Sequence, residues 1–215
     1  MNAMAEGAPG AVAHRLNELL TEAGLPESGI REAEQFETYL HLLVRWNSRT
    51  NLTAIRDPEG ILRRHFVESI ACARALPPGI GSLLDFGSGA GFPGLPIAVC
   101  RPEIAVTLAE SQGKKAAFLR EAVRTIGIPV AVHSGRAQEL DRSFDCVTLR
   151  AVDRMEEAVR GGSRLVGSRG WLTLLTTNSE SAGLQAAAGG CFAWREVALP
   201  AGGSRTLVLG RRASE

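Results

Sequence analysis

The chain has 215 residues, of which 45% are hydrophobic and 22% are charged, and its formal net charge is +1. This length is enough for one well-packed domain with a small additional segment, and the composition is that of an ordinary globular protein. A net charge this close to zero excludes nucleic-acid binding through bulk positive charge, although it leaves room for local basic patches. The sequence shows no signal peptide and no apolar run of membrane-spanning length, so we expect a cytoplasmic protein.

The cysteines are widely spaced, form no CxxC pair, and lie in apolar surroundings: Cys72, Cys100, Cys146 and Cys191. Zinc sites and redox motifs use closely spaced pairs, so this pattern indicates buried, reduced thiols and no metal site.

The first third of the chain has helical spacing of its apolar residues. This spacing predicts helices over 11–23 and 31–47, and a third helix that begins at Pro58 with Asp57 as its N-cap. Residues 1–10 are mostly small and flexible, and we expect them to be disordered.

A Pro-Pro-Gly sequence at 77–79 separates this helical region from the second part of the chain. We therefore divide the chain into a disordered N-terminus at 1–10, a helical extension at 11–79 and an α/β domain at 80–215.

The α/β domain opens with the stretch SLLDFGSGAGFPGLP at 82–96. Leu83 and Leu84 predict a short buried strand, and the apolar residues of 95–100 predict a helix. Between them lie four glycines, which allow the backbone to turn sharply and to lie against a ligand. Because the N-terminus of the following helix directs free N–H groups to the same place, this arrangement is typical of nucleotide-binding domains.

The ligand of this turn is ambiguous from the glycines alone. The spacing Gly89-x-Gly91-x-x-Gly94 fits a dinucleotide fingerprint, which is weak evidence by itself. Asp85, at the end of the strand, would repel a pyrophosphate but can bind an amino group, and Pro93 lacks an N–H that a phosphate would need. We therefore favour S-adenosylmethionine, whose methionine part carries an amino group, over NAD or a turn without a ligand.

The rest of the chain alternates strands and helices. Strands are predicted at 104–109, 130–133, 144–149 and 171–175, with helices at 114–126 and 155–166 and a closing hairpin at 192–199 and 206–209. Such alternation predicts a mostly parallel sheet covered on both faces, and the hairpin adds an antiparallel end. This is the α/β topology of class I methyltransferases rather than of dehydrogenases.

Polar residues follow the predicted strands, where ligands of parallel sheets bind. Glu110 can accept hydrogen bonds from ribose hydroxyls, Ala137 and Gln138 could reach an adenine edge, and Arg150 ends the fourth strand. The alternatives are a solvated Glu110, an exposed loop position for Gln138, and an Arg150 paired with Asp153.

The helical region holds a second polar cluster around Trp46. Arginines that bind phosphates and an aromatic ring that stacks on bases could form an RNA surface. The alternative is that Trp46 is a core residue and that Asn47 and Asn51 bond loop backbone. We favour this alternative for Trp46 and the asparagines, and RNA binding for Arg63 and Arg64.

Several stretches together closely resemble the bacterial glucose-inhibited division protein B family of 16S ribosomal RNA guanine-N7 methyltransferases. They are WNSRTNLTAIRDPEGILRRHFVES, LLDFGSGAGFPGLPIAVCRPE, LAESQGKKAAFL and LRAV. The resemblance covers about 40–151 and is weaker beyond, where it rests on GSRTLVL. It implies a Rossmann-like methyltransferase fold with a helical extension, S-adenosylmethionine as cofactor, and 16S ribosomal RNA or the small ribosomal subunit as partner. We expect a monomer.

The resemblance also implies site residues. Positions that match the family's cofactor contacts are Gly87, Phe92, Glu110, Ala137, Gln138 and Arg150, to which the residue chemistry above adds Asp85 and Gly89. Positions that match the proposed RNA face are Arg64, His65 and Arg205. The chain departs from the family in having Glu68 where Asp is usual, and Thr176-Thr177 where many members have Lys-Gly.

The resemblance implies a reaction that needs no general base. Guanine N7 carries a free lone pair at neutral pH and can attack the sulfonium methyl directly, so we assign no catalytic acid or base. Two alternatives stay open: a methyltransferase acting on a protein or small molecule, and a non-catalytic regulator that binds a dinucleotide. Salt-sensitive RNA binding would exclude the first, and cofactor-dependent thermal shifts would exclude the second.

Overall fold

The computed structural model of the chain describes residues 10–200 and 203–214, so most of the segment predicted to be disordered lies outside the described residues. The helices are α1 Ala11–Glu22, α2 Ile30–Thr50, α3 Pro58–Ile61, α4 Glu68–Ala75, α5 Gly94–Cys100, α6 Gly113–Ile126, α7 Met155–Arg164 and α8 Asn178–Ala188. The strands are β1 Ser82–Phe86, β2 Ala105–Ala109, β3 Ala131–His133, β4 Phe144–Arg150, β5 Val166–Thr177, β6 Phe192–Ala198 and β7 Arg205–Arg212.

The strands form one sheet in the order β3-β2-β1-β4-β5-β7-β6. Strands β1 to β5 are parallel, and β7 is antiparallel to both β5 and β6. This confirms the predicted α/β fold of class I methyltransferases, with a mostly parallel sheet and a closing antiparallel hairpin.

Element bounds agree closely with the sequence prediction, except for β5. This strand begins at Val166, well before the predicted start at Trp171, and its pairing with β4 is irregular at Phe144. The glycines at 167 and 170 make this part of the strand look like a loop in the sequence.

The helical region covers one face of the sheet and shares its core. Leu16 of α1, Phe36 of α2 and Phe66 are buried in the same cluster as Leu83 of β1 and Leu207 of β7. The domain boundary placed after residue 79 stays a prediction, because the hydrophobic core runs across it.

The predicted third helix has an unexpected interruption. Its start is as predicted, since the Asp57 carboxylate accepts a hydrogen bond of 2.6 Å from the Gly60 N–H. Residues Leu62–Val67, however, form a π-helical turn between α3 and α4. Such a turn widens the helix and changes the direction of its side chains, and here it carries both Arg64 and His65.

The burial prediction for the thiols is wrong for one cysteine. All four are free; Cys72 and Cys146 are buried and Cys100 is partly exposed, but Cys191 is exposed. Cys191 lies in the turn between α8 and β6, next to Gly189 and Gly190, so the apolar residues around it in sequence do not cover it.

The parallel strands place the polar residues predicted from sequence at one edge. Phe86 of β1 pairs with Ala109 of β2 and with Leu149 of β4. The glycine turn after β1, Glu110 after β2 and Arg150 at the end of β4 therefore converge. In the described part of the chain, no helix is long and apolar enough to cross a membrane.

Candidate functional site

A cavity of about 410 Å³ lies at this carboxyl edge of the sheet. Its wall includes these residues predicted from sequence: His65, Gly87, Gly89, Phe92, Glu110 and Arg150. The other predicted residues do not line it: Arg64, Asp85, Ala137, Gln138 and Arg205. The helical region contributes a further part of the wall through Leu52 and Thr53, which belong to the polar cluster around Trp46, and through Ala54.

The turn after β1 requires glycine because of its positive φ angles and because a side chain would collide with neighbouring residues. Gly87 has φ +72°, and a Cβ atom there would lie 3.1 Å from Val152. Gly91 has φ +94°, and a Cβ atom there would lie 2.5 Å from the Leu95 side chain and 2.8 Å from the Tyr39 hydroxyl. L-residues rarely adopt such φ values, so the backbone forms this part of the cavity wall without side chains in front of it.

Asp85 lies beneath the glycine turn, where it is 1% exposed. Its carboxylate accepts hydrogen bonds from the Thr148 hydroxyl at 2.9 Å and from the Gly94 N–H at 3.2 Å. Burial raises the pKa of Asp85 to about 6, and these hydrogen bonds oppose the rise. The structure thus gives Asp85 a supporting role, and its direct contact with a cofactor amino group stays a prediction.

Glu110 is 6% exposed, so it is not a solvated strand end. One carboxylate oxygen accepts the Gly89 N–H at 2.9 Å and the other accepts the Gln112 N–H at 2.7 Å. Because each carboxylate oxygen can accept a second hydrogen bond, Glu110 is held in place and still able to bind ribose hydroxyls.

Arg150 pairs with Glu68 and not with Asp153. Its guanidinium lies 2.9 Å from Glu68 Oε2, and Glu68 is fully buried. Arg64 Nε lies 3.3 Å from Glu68 Oε1, and an Arg205 nitrogen lies 3.2 Å from Oε2. We call these four residues the Glu68 cluster. It contains three positive charges and one negative charge.

Burial lowers the pKa of Arg150 to about 10, although the neighbouring Glu68 opposes this change. Arg150 therefore stays protonated at neutral pH. The pKa of His65 falls to about 3, first because of burial and then because of Arg150 and Arg64, so His65 is neutral. Its ring stacks on Phe92 with the centroids 4.9 Å apart.

Ala137 and Gln138 lie in a short 3₁₀ turn at Ala137–Glu139, beyond β3 as predicted. Ala137 is buried and Gln138 is exposed, with the Gln138 amide close to Gly161 of α7. Their contact with adenine stays a prediction.

The structural interpretation of the Trp46 cluster is confirmed for Asn47 and is wrong for Asn51, whose side-chain oxygen accepts a hydrogen bond of 2.6 Å from the Arg56 guanidinium and not from loop backbone. Trp46 is partly buried and packs against the core. The Trp46 indole N–H donates to Glu121 at 3.1 Å, and its ring meets Phe118 edge to face. Asn47 donates to the Ile55 carbonyl and accepts the Thr53 N–H at 2.9 Å, and so fixes the loop after α2.

Sequence reasoning included Glu68 and Thr53 in the polar cluster around Trp46 but gave neither residue a role. The role of Glu68 was not visible because its partner Arg150 lies far away in sequence. Among residues 10–200 and 203–214, no group of three or more His, Cys, Asp or Glu side chains is placed to hold a metal ion.

The sheet order, the glycine turn and the cavity at the carboxyl edge together define a class I methyltransferase fold. A family model described as rRNA small subunit methyltransferase G (GidB) matches residues 32–199. The chain therefore belongs to this family, which confirms the resemblance seen in the sequence.

Curated relatives support this assignment. The chain is 49% identical over 129 residues to ribosomal RNA small subunit methyltransferase G of Roseiflexus sp. (strain RS-1), a match that covers 57% of this chain and 55% of the relative. It is 43% identical over 167 residues to the protein of the same name in Stenotrophomonas maltophilia (strain K279a), covering 76% of each. The chain thus spans little more than half the length of the first of these relatives.

Solved structures show the same fold. One is the T. thermophilus 16S rRNA N2 G1207 methyltransferase (RsmC) in complex with AdoMet and guanosine. It has a TM-score of 0.55 and 17% identity, over 71% of this chain and 40% of that one. At this identity the similarity establishes the fold alone.

Asp85 is expected to make stability depend on pH. Its pKa of about 6 in the folded protein exceeds its usual value of 3.8, so the folded state holds this proton more tightly. Protonated Asp85 therefore contributes about 3 kcal/mol to the free energy of unfolding below pH 4, and this contribution is lost as the pH rises through 6. In Asp85→Asn the side chain does not titrate, so this pH dependence should be absent.

The effect can be measured by urea unfolding of the wild type and of Asp85→Asn between pH 4 and 7.5. The quantity of interest is the difference between their free energies of unfolding at each pH. Asp141→Asn, at an exposed position, reports the general effect of losing one carboxylate. A difference between wild type and Asp85→Asn that does not vary with pH would contradict this account.

Proposed function

We propose that this protein transfers a methyl group from S-adenosylmethionine to N7 of a specific guanosine in 16S ribosomal RNA. The observation that carries the proposal is the cavity, in which the glycine turn, Glu110 and Arg150 meet His65 and Phe92. Its support is membership of the rRNA small subunit methyltransferase G family. We retain 16S ribosomal RNA or the small ribosomal subunit as partner and a monomer as the active form.

The residues of the cavity fit S-adenosylmethionine. Bare backbone at Gly87 leaves room for the ligand, Glu110 has lone pairs for the ribose hydroxyls, and Arg150 offers a protonated guanidinium for a carboxylate. When bound, this cofactor supplies a methyl group on a positively charged sulfur. Ala137 and Gln138, which match cofactor contacts of the family and lie outside the cavity wall, would contact the adenine edge.

The Glu68 cluster supports RNA as the substrate. One carboxylate does not neutralise three arginines, so the cluster favours a nearby anion such as a backbone phosphate. Arg64 and Arg205 keep 45% and 20% of their side chains exposed, so both remain accessible to such a group. Arg205 Nε is buried and has no hydrogen-bond partner among the described residues.

The protein's contribution to the chemistry is orientation. Guanine N7 has a lone pair and no proton to lose, so no residue has to act as a base. His65 is neutral, and its Nδ1 lies 3.1 Å from a donor of Arg150, so this atom's lone pair is already engaged. Holding the base and the methyl donor in line accounts for most of the expected rate enhancement.

The cofactor can be identified by isothermal titration with S-adenosylmethionine and, separately, with NAD. We expect binding of S-adenosylmethionine alone. In Gly87→Asp a side chain would enter the turn against Val152, so the affinity should fall by about tenfold or more.

Gly183→Asp serves as the matched control, because a Cβ atom at Gly183 meets nothing within 4 Å. Binding of NAD instead of S-adenosylmethionine would overturn the proposal and favour the dinucleotide-binding regulator.

The RNA face can be tested with Arg64→Ala and Arg205→Ala. We expect each variant to methylate unmodified 16S ribosomal RNA about tenfold or more slowly at low RNA concentration, because a phosphate contact is lost. The affinity for S-adenosylmethionine should change by less than about threefold.

Transfer of a labelled methyl group, with mass spectrometry to locate 7-methylguanosine, gives both the rate and the position. Arg160→Ala, on the exposed surface of α7, controls for loss of a surface arginine. If Arg64→Ala and Arg205→Ala both kept the wild-type rate, the proposed RNA face would be wrong.

A further inference from the structure

The hydrogen bonds between Arg150, His65 and Thr53 have a fixed direction. An arginine guanidinium has donors only, so His65 Nδ1, 3.1 Å from an Arg150 nitrogen, can only accept; this nitrogen shares its two hydrogens with the Arg64 carbonyl and Glu68. His65 is neutral, so its one ring proton is on Nε2, and Nε2 lies 2.7 Å from Thr53 Oγ1. His65 therefore donates to Thr53.

The Thr53 hydroxyl oxygen also accepts the Ile55 N–H at 3.2 Å. Both of its acceptor positions are thus used, and its own hydrogen has no acceptor among the residues that the structure describes. Thr53 is part of the cavity wall. The hydroxyl hydrogen is therefore available to an acceptor atom on a ligand in this cavity.

We propose that the Thr53 hydroxyl donates a hydrogen bond to O6 of the target guanine and so helps the enzyme to select guanine; this inference rests on the proposed function. N7 must stay free to receive the methyl group. O6, next to N7 on the same edge, is an acceptor in guanine, whereas adenine presents an amino donor there. A hydroxyl that can only donate therefore favours guanine over adenine.

The surroundings of Thr53 favour a base over the cofactor as its partner. Thr53 belongs to the loop after α2, in the helical extension, whereas the glycine turn and Glu110 follow strands of the sheet. His65, its hydrogen-bond partner, forms with Phe92 a stacked aromatic pair that also lines the cavity. Phe92 also stacks on Tyr39, so of this pair it is the His65 ring that can offer a flat surface to a base. A carboxylate on the cofactor is the other possible acceptor, and the test separates the two.

The first measurement compares Thr53→Val with Thr53→Ser. Valine keeps the shape but removes the hydroxyl, whereas serine keeps the donor. We expect kcat/KM for unmodified 16S ribosomal RNA to fall about tenfold in Thr53→Val and to recover largely in Thr53→Ser. Thr50→Val is the control, because the Thr50 hydroxyl donates to the Trp46 carbonyl within α2.

The second measurement separates recognition of O6 from a structural effect. RNA carrying 2-aminopurine at the modified position has no O6 but keeps N7. For each protein, the rate with guanine RNA is divided by the rate with 2-aminopurine RNA. We expect this ratio to be about tenfold larger in the wild type than in Thr53→Val, because only the wild type has a hydroxyl that binds O6. An equal ratio in the wild type and in Thr53→Val would overturn the inference.

Isothermal titration with S-adenosylmethionine shows whether Thr53 binds the base or the cofactor. An unchanged affinity in Thr53→Val supports the base as partner, whereas a tenfold loss would assign the hydroxyl to the cofactor and overturn the inference. Absence of RNA methylation by the wild type would instead refute the proposed function. Methylation by Thr53→Val at the wild-type rate would refute only the role of Thr53.

Discussion

The site depends on one buried carboxylate. Glu68 is fully buried in α4 and holds Arg64 of the π-helical turn, Arg150 at the end of β4 and Arg205 at the start of β7. A charge taken out of water is tolerated only when partners compensate for lost hydration, so each arginine is tied to this position. These elements come from both the helical extension and the sheet. The cluster therefore fixes how the two parts meet at the cavity.

This arrangement connects the proposed cofactor site with the proposed RNA face. Arg150 lines the cavity, and Arg64 and Arg205 share its carboxylate partner while remaining partly exposed. Arg150 also contacts His65, which in turn contacts Thr53. One network of charge and hydrogen bonds thus runs from the proposed cofactor site to the proposed base site. The excess positive charge remains for an anionic ligand to neutralise.

The features that could be predicted from the sequence are those that depend on residues close together in the chain. The strand, glycine turn and helix of 82–100, the Asp57 cap and the position of Glu110 all follow from local patterns. Contacts between distant segments were not predictable: the pairing of Arg150 with Glu68, the π-helical turn and the place of Thr53 depend on how the helical extension packs against the sheet. The alternative pairing of Arg150 with Asp153 is wrong because nearness in sequence does not decide the partner of a buried charge.

The most direct test of the Glu68 cluster compares Glu68→Gln with Glu59→Gln. Glu59 also pairs with two arginines, Arg15 and Arg63, but it is 32% exposed. Urea unfolding at neutral pH should show a loss of about 3–5 kcal/mol for Glu68→Gln, because three arginines lose a buried partner. The loss for Glu59→Gln should be about 1 kcal/mol or less. Equal losses in the two variants would contradict the account.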